Sequence, residues 1–263
     1  MVNDGATIAV WFSCGAASAV AAKMTLDQYG DRCTVRVLNN PVAEEDDDNR
    51  RFLSDVQDWL GVEIEEVTNP DFPSGSAVEV WDARKAMSFP KGAPCTIELK
   101  KRARYAWEEN NHVNWHVLGY VHGERHRHDR LVATGEPLLP VLLDRRVTKD
   151  QCYQIIKSAG LKLPRIYSLG YPNANCIGCV KATSPTYWSL VRDNHPEVFA
   201  ARAEQSRRLG VRLVRVNNQR IFLDEMPVGA TGAPLKNMDF ECGLFCATDD
   251  PEALGQMTEK EKR

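Results

Sequence analysis

TIAVWFSCGAASAVAAKMTLDQYG, residues 7–30, decides the fold. Residues 7–12 are a short run of β-branched and aromatic side chains and read as a buried strand. Residues 13–18 (SCGAAS) follow as a turn of small residues. Residues 19–29 have helical composition, and Gly30 is a stop signal. Small side chains let a backbone close around an anion. A helix N-terminus adds N–H groups without intrahelical partners and the positive end of its dipole. Ser13, Cys14, Gly15, Ala16 and Ser18 are therefore candidate nucleotide- or substrate-binding residues, with Ser13 and Ser18 adding hydroxyls. The stretch is neither a P-loop, because no Lys follows, nor a GxGxxG. A plain tight strand–helix turn also accounts for it.

Reading outward, residues 34–38 (TVRVL) make a second strand. Residues 47–60 are helical through Phe52, Val56, Trp59 and Leu60, ended by Gly61. Residues 62–67 make a third strand. This order predicts an α/β fold, a doubly wound and mainly parallel sheet with helices on both faces. In such sheets ligands bind beyond the carboxyl ends of the strands, at the switch point, where residues 13–18 would lie. Residues 114–119 (NWHVLG) supply a fourth strand that runs into a polar loop at 120–130. Short helical stretches are expected at 77–87, 97–110 and 145–159, and a mostly helical one at 184–209. A hairpin over 212–223 would turn at Asn217 and Asn218. The chain divides at residue 180 into a nucleotide-binding α/β domain and a helical, irregular extension (181–263) that completes a cysteine site.

With 263 residues, 43% hydrophobic and 26% charged, the chain is not disordered, collagen-like or a coiled coil throughout. No stretch approaches the roughly 20 apolar residues that span a bilayer. No basic segment precedes the first apolar patch, so a cytoplasmic protein without a membrane partner is expected. The net charge of −3 offers no global field for nucleic acid. The local basic clusters at 100–104 and 125–130 suit a small phosphorylated ligand. Lys100, Arg125 and Arg130 are the candidates, although solvated faces explain such runs as well.

Eight cysteines, clustered in a chain of this size and kind, more often mean metal or catalysis than disulfides. Cys33 and Cys152 sit in apolar surroundings and read as core thiols. Cys14 could be a reactive thiol at a helix start or a small turn filler. Cys176 and Cys179 form a C-x-x-C, Cys242 and Cys246 a C-x3-C, and Cys95 follows Pro94 at a helix start that favours its thiolate. These five offer the four sulfur ligands of an iron–sulfur or zinc site. His112, His116, His122, His126 and His128 lie beside Arg125, Arg127 and Arg130. They read as phosphate-binding or solvated surface rather than metal ligands.

Together these residues resemble the adenylyl-sulfate and phosphoadenylyl-sulfate (PAPS) reductases, in the PP-loop adenine-nucleotide superfamily. Residues 12–18 look like the modified PP-loop. Cys95-Thr96-Ile97-Glu98-Leu99-Lys100 resembles the C-C-x-x-x-K segment. Residues 165–179, RIYSLGY through CIGC, resemble the Y-x-x-GY…GC-x-x-C stretch, and Glu241-Cys242-Gly243-Leu244 the ECGL motif. Residues 119–130 and 139–141 resemble the intervening G-x-R loop and "P-i" strand.

The chain departs from the pattern at Ala17, where ATP-hydrolysing members carry Asp, at Thr96, which breaks the tandem cysteine, and at Val121 in the G-x-R loop. The resemblance implies an oxidoreductase acting on an adenylylated sulfur compound, with Cys242 as nucleophile. It implies a [4Fe–4S] cluster on Cys95, Cys176, Cys179 and Cys246, or with Cys242 as the fourth ligand. A thioredoxin-like reductant would regenerate the thiol, and a homo-oligomer is compatible with it. One alternative is an iron–sulfur-dependent sulfurtransferase or nucleotide- or nucleic-acid-modifying enzyme. Another is a nucleotide-binding module with structural zinc.

Overall fold

The run TIAVW forms β1 (Thr7–Trp11) and the small-residue turn leads into α1 (Ala16–Tyr29), in a computed structural model that describes residues 2–89, 92–235 and 242. Next come β2 (Thr34–Asn39), α2 (Asp48–Leu60), β3 (Ile64–Glu66), α3 (Ala77–Arg84) and α4 (Pro94–Thr96). A π-helix (Ile97–Arg102) joins α4 to α5 (Ala103–Glu108), and β4 (Trp115–Val117) follows. Then come α6 (Arg125–Ala133), α7 (Val141–Asp144), α8 (Lys149–Ser158) and α9 (Arg165–Ser168). The last elements are α10 (Pro185–Asn194), α11 (Pro196–Arg208), β5 (Val214–Val216) and β6 (Gln219–Ile221).

The chain folds as two units. The first comprises Met1–Pro41, Asp46–Thr68 and Ala103–Ala174. Its sheet is parallel throughout, in the order β3-β2-β1-β4, with Val10 opposite Val37 on one side and Val117 on the other. The chain therefore steps outward from β1 to β3 and returns to the other side of β1 for β4. The order reverses at β1, and the 13–18 turn leaves its carboxyl end.

Both sheet faces of this unit are covered. Ile8, Val10 and Phe12 join the core under α1, whose Ala-rich surface is buried at Ala16 and from Ser18 through Ala22 and lets α8 pack closely. On the other face the Trp11 ring meets Trp107 of α5 edge-on at 6.0 Å, and the Arg36 guanidinium covers Trp107 at 4.6 Å. The expected polar loop at 120–130 is corrected. A 3-10 turn (His122–Glu124) opens into α6, whose buried residues are His128 and Leu131. One buried stripe suffices to hold it, and so few apolar positions leave little periodicity to read.

The second unit comprises Val42–Glu45, Asn69–Arg102 and Asn175–Arg263. Segments 42–45 and 69–102, expected within the first domain, thus join the later chain. Glu44 explains this. Its carboxylate takes the N–H groups of Ala77 (2.7 Å) and Val78 (3.2 Å) at the positive end of α3. Its carbonyl accepts from Ile177 N–H at 2.9 Å. Pro196, which has no N–H, divides the expected 184–209 helix into α10 and α11. Trp188 packs edge-on against Tyr187 (5.4 Å) and Phe199 (6.4 Å). The hairpin β5–β6 turns at Asn217 and Asn218, both left-handed (φ 47° and 64°), as the expected turn requires. Among the described residues no helix is long and apolar enough to cross a membrane.

Candidate functional site

In the first unit the 13–18 turn is tied by its own side chains. Ser18 Oγ accepts from Ser13 N–H at 3.1 Å and donates to Gly15 C=O at 3.0 Å, with Ser13 Oγ at 3.2 Å. Cys14 adopts φ 53°, a left-handed conformation that costs a non-glycine residue about 1–3 kcal/mol and collects at functional turns. Its thiol is buried, with Asn39 Nδ2 3.6 Å from the sulfur, so it fills the turn. The same Asn39 amide donates to Phe12 C=O at 2.8 Å. No side chain caps α1 from Gly15, so among the described residues the first-turn N–H groups beyond that of Ala16 are left for a ligand or water. Ala16 N–H reaches the Tyr167 hydroxyl at 3.3 Å. Burial, and next the neighbouring Tyr153, push the Tyr167 phenol far above its ordinary range, so it stays protonated. Gly119 closes the turn from β4. A Cβ there would stand 2.6 Å from Ser18 N, inside any tolerable contact.

Arg125 and Arg130 both lie exposed on α6, and Arg125 Nη2 donates to Leu143 C=O at 3.1 Å. The histidines are dispersed. His116 is buried in β4, His128 is buried on α6, and His112, His122 and His126 are exposed.

The second unit gathers the cysteines. Cys95 leaves the first turn of α4, Cys176 and Cys179 come from the loop before α10, and Cys242 from the C-terminal segment. Cys95 and Cys176 are each influenced by Cys242 and Cys179, and Cys179 by Cys242. Burial pushes the Cys95 thiol up to about 12 and Cys179 to about 11. Cys176 also stands well above its usual range for the same reason. The expectation that a helix start favours the Cys95 thiolate is thereby corrected. Desolvation outweighs the dipole of a three-residue helix. Lys181 counters the rise at Cys95 and Cys179, and Lys100 at Cys176. Thr96, in place of a tandem cysteine, puts its hydroxyl 3.8 Å from Cys242 Sγ.

The π-helix after α4 buries Glu98, Lys100 and Lys101 side by side. π-turns are rare and recur at functional sites. Lys100 pairs with Glu45 at 3.7 Å. It therefore belongs to the cysteine-bearing unit, while the 13–18 turn belongs to the other. Cys246 lies outside the described residues. Cys33 and Cys152 are core thiols as expected, and burial raises Cys152 to about 11.

Among the described residues no three His, Cys, Asp or Glu side chains are spaced to hold a single metal ion. Four thiolates on one zinc stand about 3.8 Å apart, given Zn–S of about 2.3 Å. Thiolates on the separate irons of a cubane stand farther apart. An all-sulfur donor set in buried surroundings fits the latter chemistry.

Two residues escape sequence reasoning. The Tyr187 hydroxyl bridges the C-x-x-C loop, accepting from Cys179 N–H at 2.9 Å and donating to Cys176 C=O at 3.2 Å. Arg202 of α11 lies buried against the same loop. The tyrosine follows a Pro-initiated helix start, and nothing in its spacing marks it. No family model matches the chain, and no curated protein matches it.

Proposed function

We propose that the chain is an oxidoreductase of the adenylyl-sulfate or PAPS reductase kind, acting on an adenylylated sulfur compound in the cytoplasm. The observation that carries this reading is the gathering of Cys95, Cys176, Cys179 and Cys242 from distant segments into one group, with Cys179 buried and the other three half-buried. A parallel sheet whose strand order reverses at an uncapped helix start supports the nucleotide half. The 13–18 turn, a PP-loop variant, holds phosphate or sulfate oxygens through backbone N–H groups, and Arg125 and Arg130 of the same unit supply positive charge, while Lys100 supplies it beside Cys176. Cys242, only partly buried, is the nucleophile. Its thiolate attacks the sulfur of the sulfo group. An S–S bond forms, the S–O bond to phosphate breaks, and the nucleotide leaves. A thioredoxin-like dithiol supplies two electrons, releases sulfite and returns the thiolate. Cys95, Cys176 and Cys179, with Cys246 as fourth ligand, would hold a [4Fe–4S] cluster. When bound, the cluster supplies local electrostatics rather than the reducing electrons.

A second reading rests on the closeness of Cys242 to the other three thiols. If Cys242 is itself the fourth ligand, the chain is an iron–sulfur-dependent sulfurtransferase or nucleotide- or nucleic-acid-modifying enzyme.

One set of measurements separates the readings. Protein purified without oxygen is assayed for iron, acid-labile sulfide and zinc. Sulfite release from adenylyl sulfate and its 3′-phosphate is then followed with a dithiol donor. The reductase reading expects about four irons with matching sulfide, and Cys242→Ser that keeps its iron but releases no sulfite. Loss of iron in Cys242→Ser supports the second reading. Stoichiometric zinc without sulfide overturns both.

A further inference from the structure

Arg202 on α11 is 3% exposed. Its guanidinium lies over the Trp81 ring at 4.4 Å, and Nη1 donates to Gln205 Oε1 at 2.8 Å. Its Nε is buried without a hydrogen-bond partner among the described residues. Glu44 is the first of the charges acting on it, but that carboxylate is already held by Ser76, Ala77 and Val78. A buried charge without a counter-ion is costly, so natural structures rarely keep one idle.

The orphaned Nε lies beside the C-x-x-C loop at Gly178. A Cβ at Gly178, inside the C-x-x-C, would stand 3.6 Å from it and 3.0 Å from Val198 Cγ1. Gly178 also adopts φ 71°, so glycine there both permits the loop conformation and leaves room beside the guanidinium. Cys176 and Cys95 are among the groups whose negative charge would act on it. Four thiolates outweigh the charge of a zinc ion or of an iron–sulfur core, so the loaded centre is anionic.

We propose that Arg202 is the buried counter-cation of the four-cysteine centre, its Nε–H donating to a sulfur of the loaded C-x-x-C loop. This rests on the metal-centre reading above, and it assigns a positioning and tuning role rather than a catalytic one. Hydrogen bonds and charge around the sulfurs set metal affinity and reduction potential. The arginine burdens the empty protein and stabilises the filled one.

The test compares full-length wild type, Arg202→Met and Arg202→Lys after chelation and anaerobic reconstitution with ferrous iron and sulfide. The thiolate-to-iron charge-transfer absorption band and its rate of loss to a chelator are the readouts. Arg202→Met is expected to lose the band roughly 10- to 100-fold faster, with Arg202→Lys recovering most of the difference. Metal-free Arg202→Met is expected to melt no earlier than wild type, which a merely structural arginine would not allow. An equal rate of loss in Arg202→Met overturns the inference. So does a faster loss that Lys does not slow, accompanied by earlier melting of the metal-free protein. Wild type that gains no charge-transfer band overturns the metal-centre reading itself, and the inference falls with it.

Discussion

The phenolic oxygen of Tyr187 accepts the backbone N–H of Cys179 at 2.9 Å, and its own proton goes to the carbonyl of Cys176. One side chain thereby fixes both ends of the C-x-x-C loop from the first turn of α10.

Tyr187→Phe removes that bridge and leaves a buried N–H and a buried C=O without it. The expected cost is about 1–3 kcal/mol, concentrated in the loop. Because the ring still fills its place against Trp188, circular dichroism should be unchanged. Release of bound metal to a chelator should be at least several-fold faster. Release at the wild-type rate would remove Tyr187 from the account of the site.

Gly119→Ala probes the other unit. The added methyl would stand 2.6 Å from Ser18 N and 2.8 Å from Ser18 Cα, both backbone atoms that cannot swing aside. Overpacking of this kind costs about 1–3 kcal/mol. The turn must shift, so binding of adenosine monophosphate, measured by calorimetry, should weaken well beyond what the lowered melting temperature explains. Unchanged affinity would mean that the 13–18 turn does not hold the nucleotide.

The legible parts of this fold are those where packing and sequence pattern coincide. The TIAVW run alternates between two buried faces, and Gly, Asn and small-residue signals mark the turns, so β1, α1, β2, α2 and the hairpin could be read directly. Segment α6 was not legible because Arg, His and Asp fill it and only His128 and Leu131 turn inward. The π-helix was not legible either, since IELKKR looks like an amphipathic α-helix whose lysines should be solvated, yet Lys100 and Lys101 are buried. The cysteines announced a site by number and spacing. Tyr187 and Arg202 serve it from helices 8 and more residues away, and an arginine within PEVFAARAEQSRR reads as surface until its burial is seen.

His116 makes stability fall in mild acid. Its Nδ1 accepts from Trp11 Nε1 at 3.2 Å, and its Nε2 stands 3.4 Å from Glu108. Burial, and then Arg104, lower its pKa from 6.5 to about 4. Between those values the unfolded chain binds the proton that the folded one refuses, so stability rises with pH there. Acidification from pH 7 to 4 should remove about 3 kcal/mol through this group. Glu108, raised by burial, works in the opposite direction and offsets part of it. Asp48, lowered to about 2, acts only below the ordinary aspartate range. His116→Asn, whose amide oxygen can still accept from Trp11, should flatten the pH 4–6.5 dependence of the urea midpoint. An unchanged slope would show that His116 is not the source.

Thr96 and Cys242 provide the sharpest test of what Cys242 does. The Thr96 hydroxyl lies 3.8 Å from the Cys242 sulfur, so Thr96→Cys sets a thiol within a small side-chain movement of it. In the wild-type background the two should form a disulfide under mild oxidation, seen as a loss of two alkylatable thiols by mass spectrometry. In a Cys242→Ser background the outcome divides. If Cys242 is a ligand, Thr96→Cys supplies sulfur beside the vacated position, and iron lost in Cys242→Ser returns in the double variant. If Cys242 is the nucleophile, Cys242→Ser has already kept its iron. Sulfite release then stays absent in the double variant, because the new thiol sits on a different backbone segment and cannot reproduce the line of attack. Sulfite release from a Cys242→Ser variant that also keeps its iron would exclude Cys242 from either role.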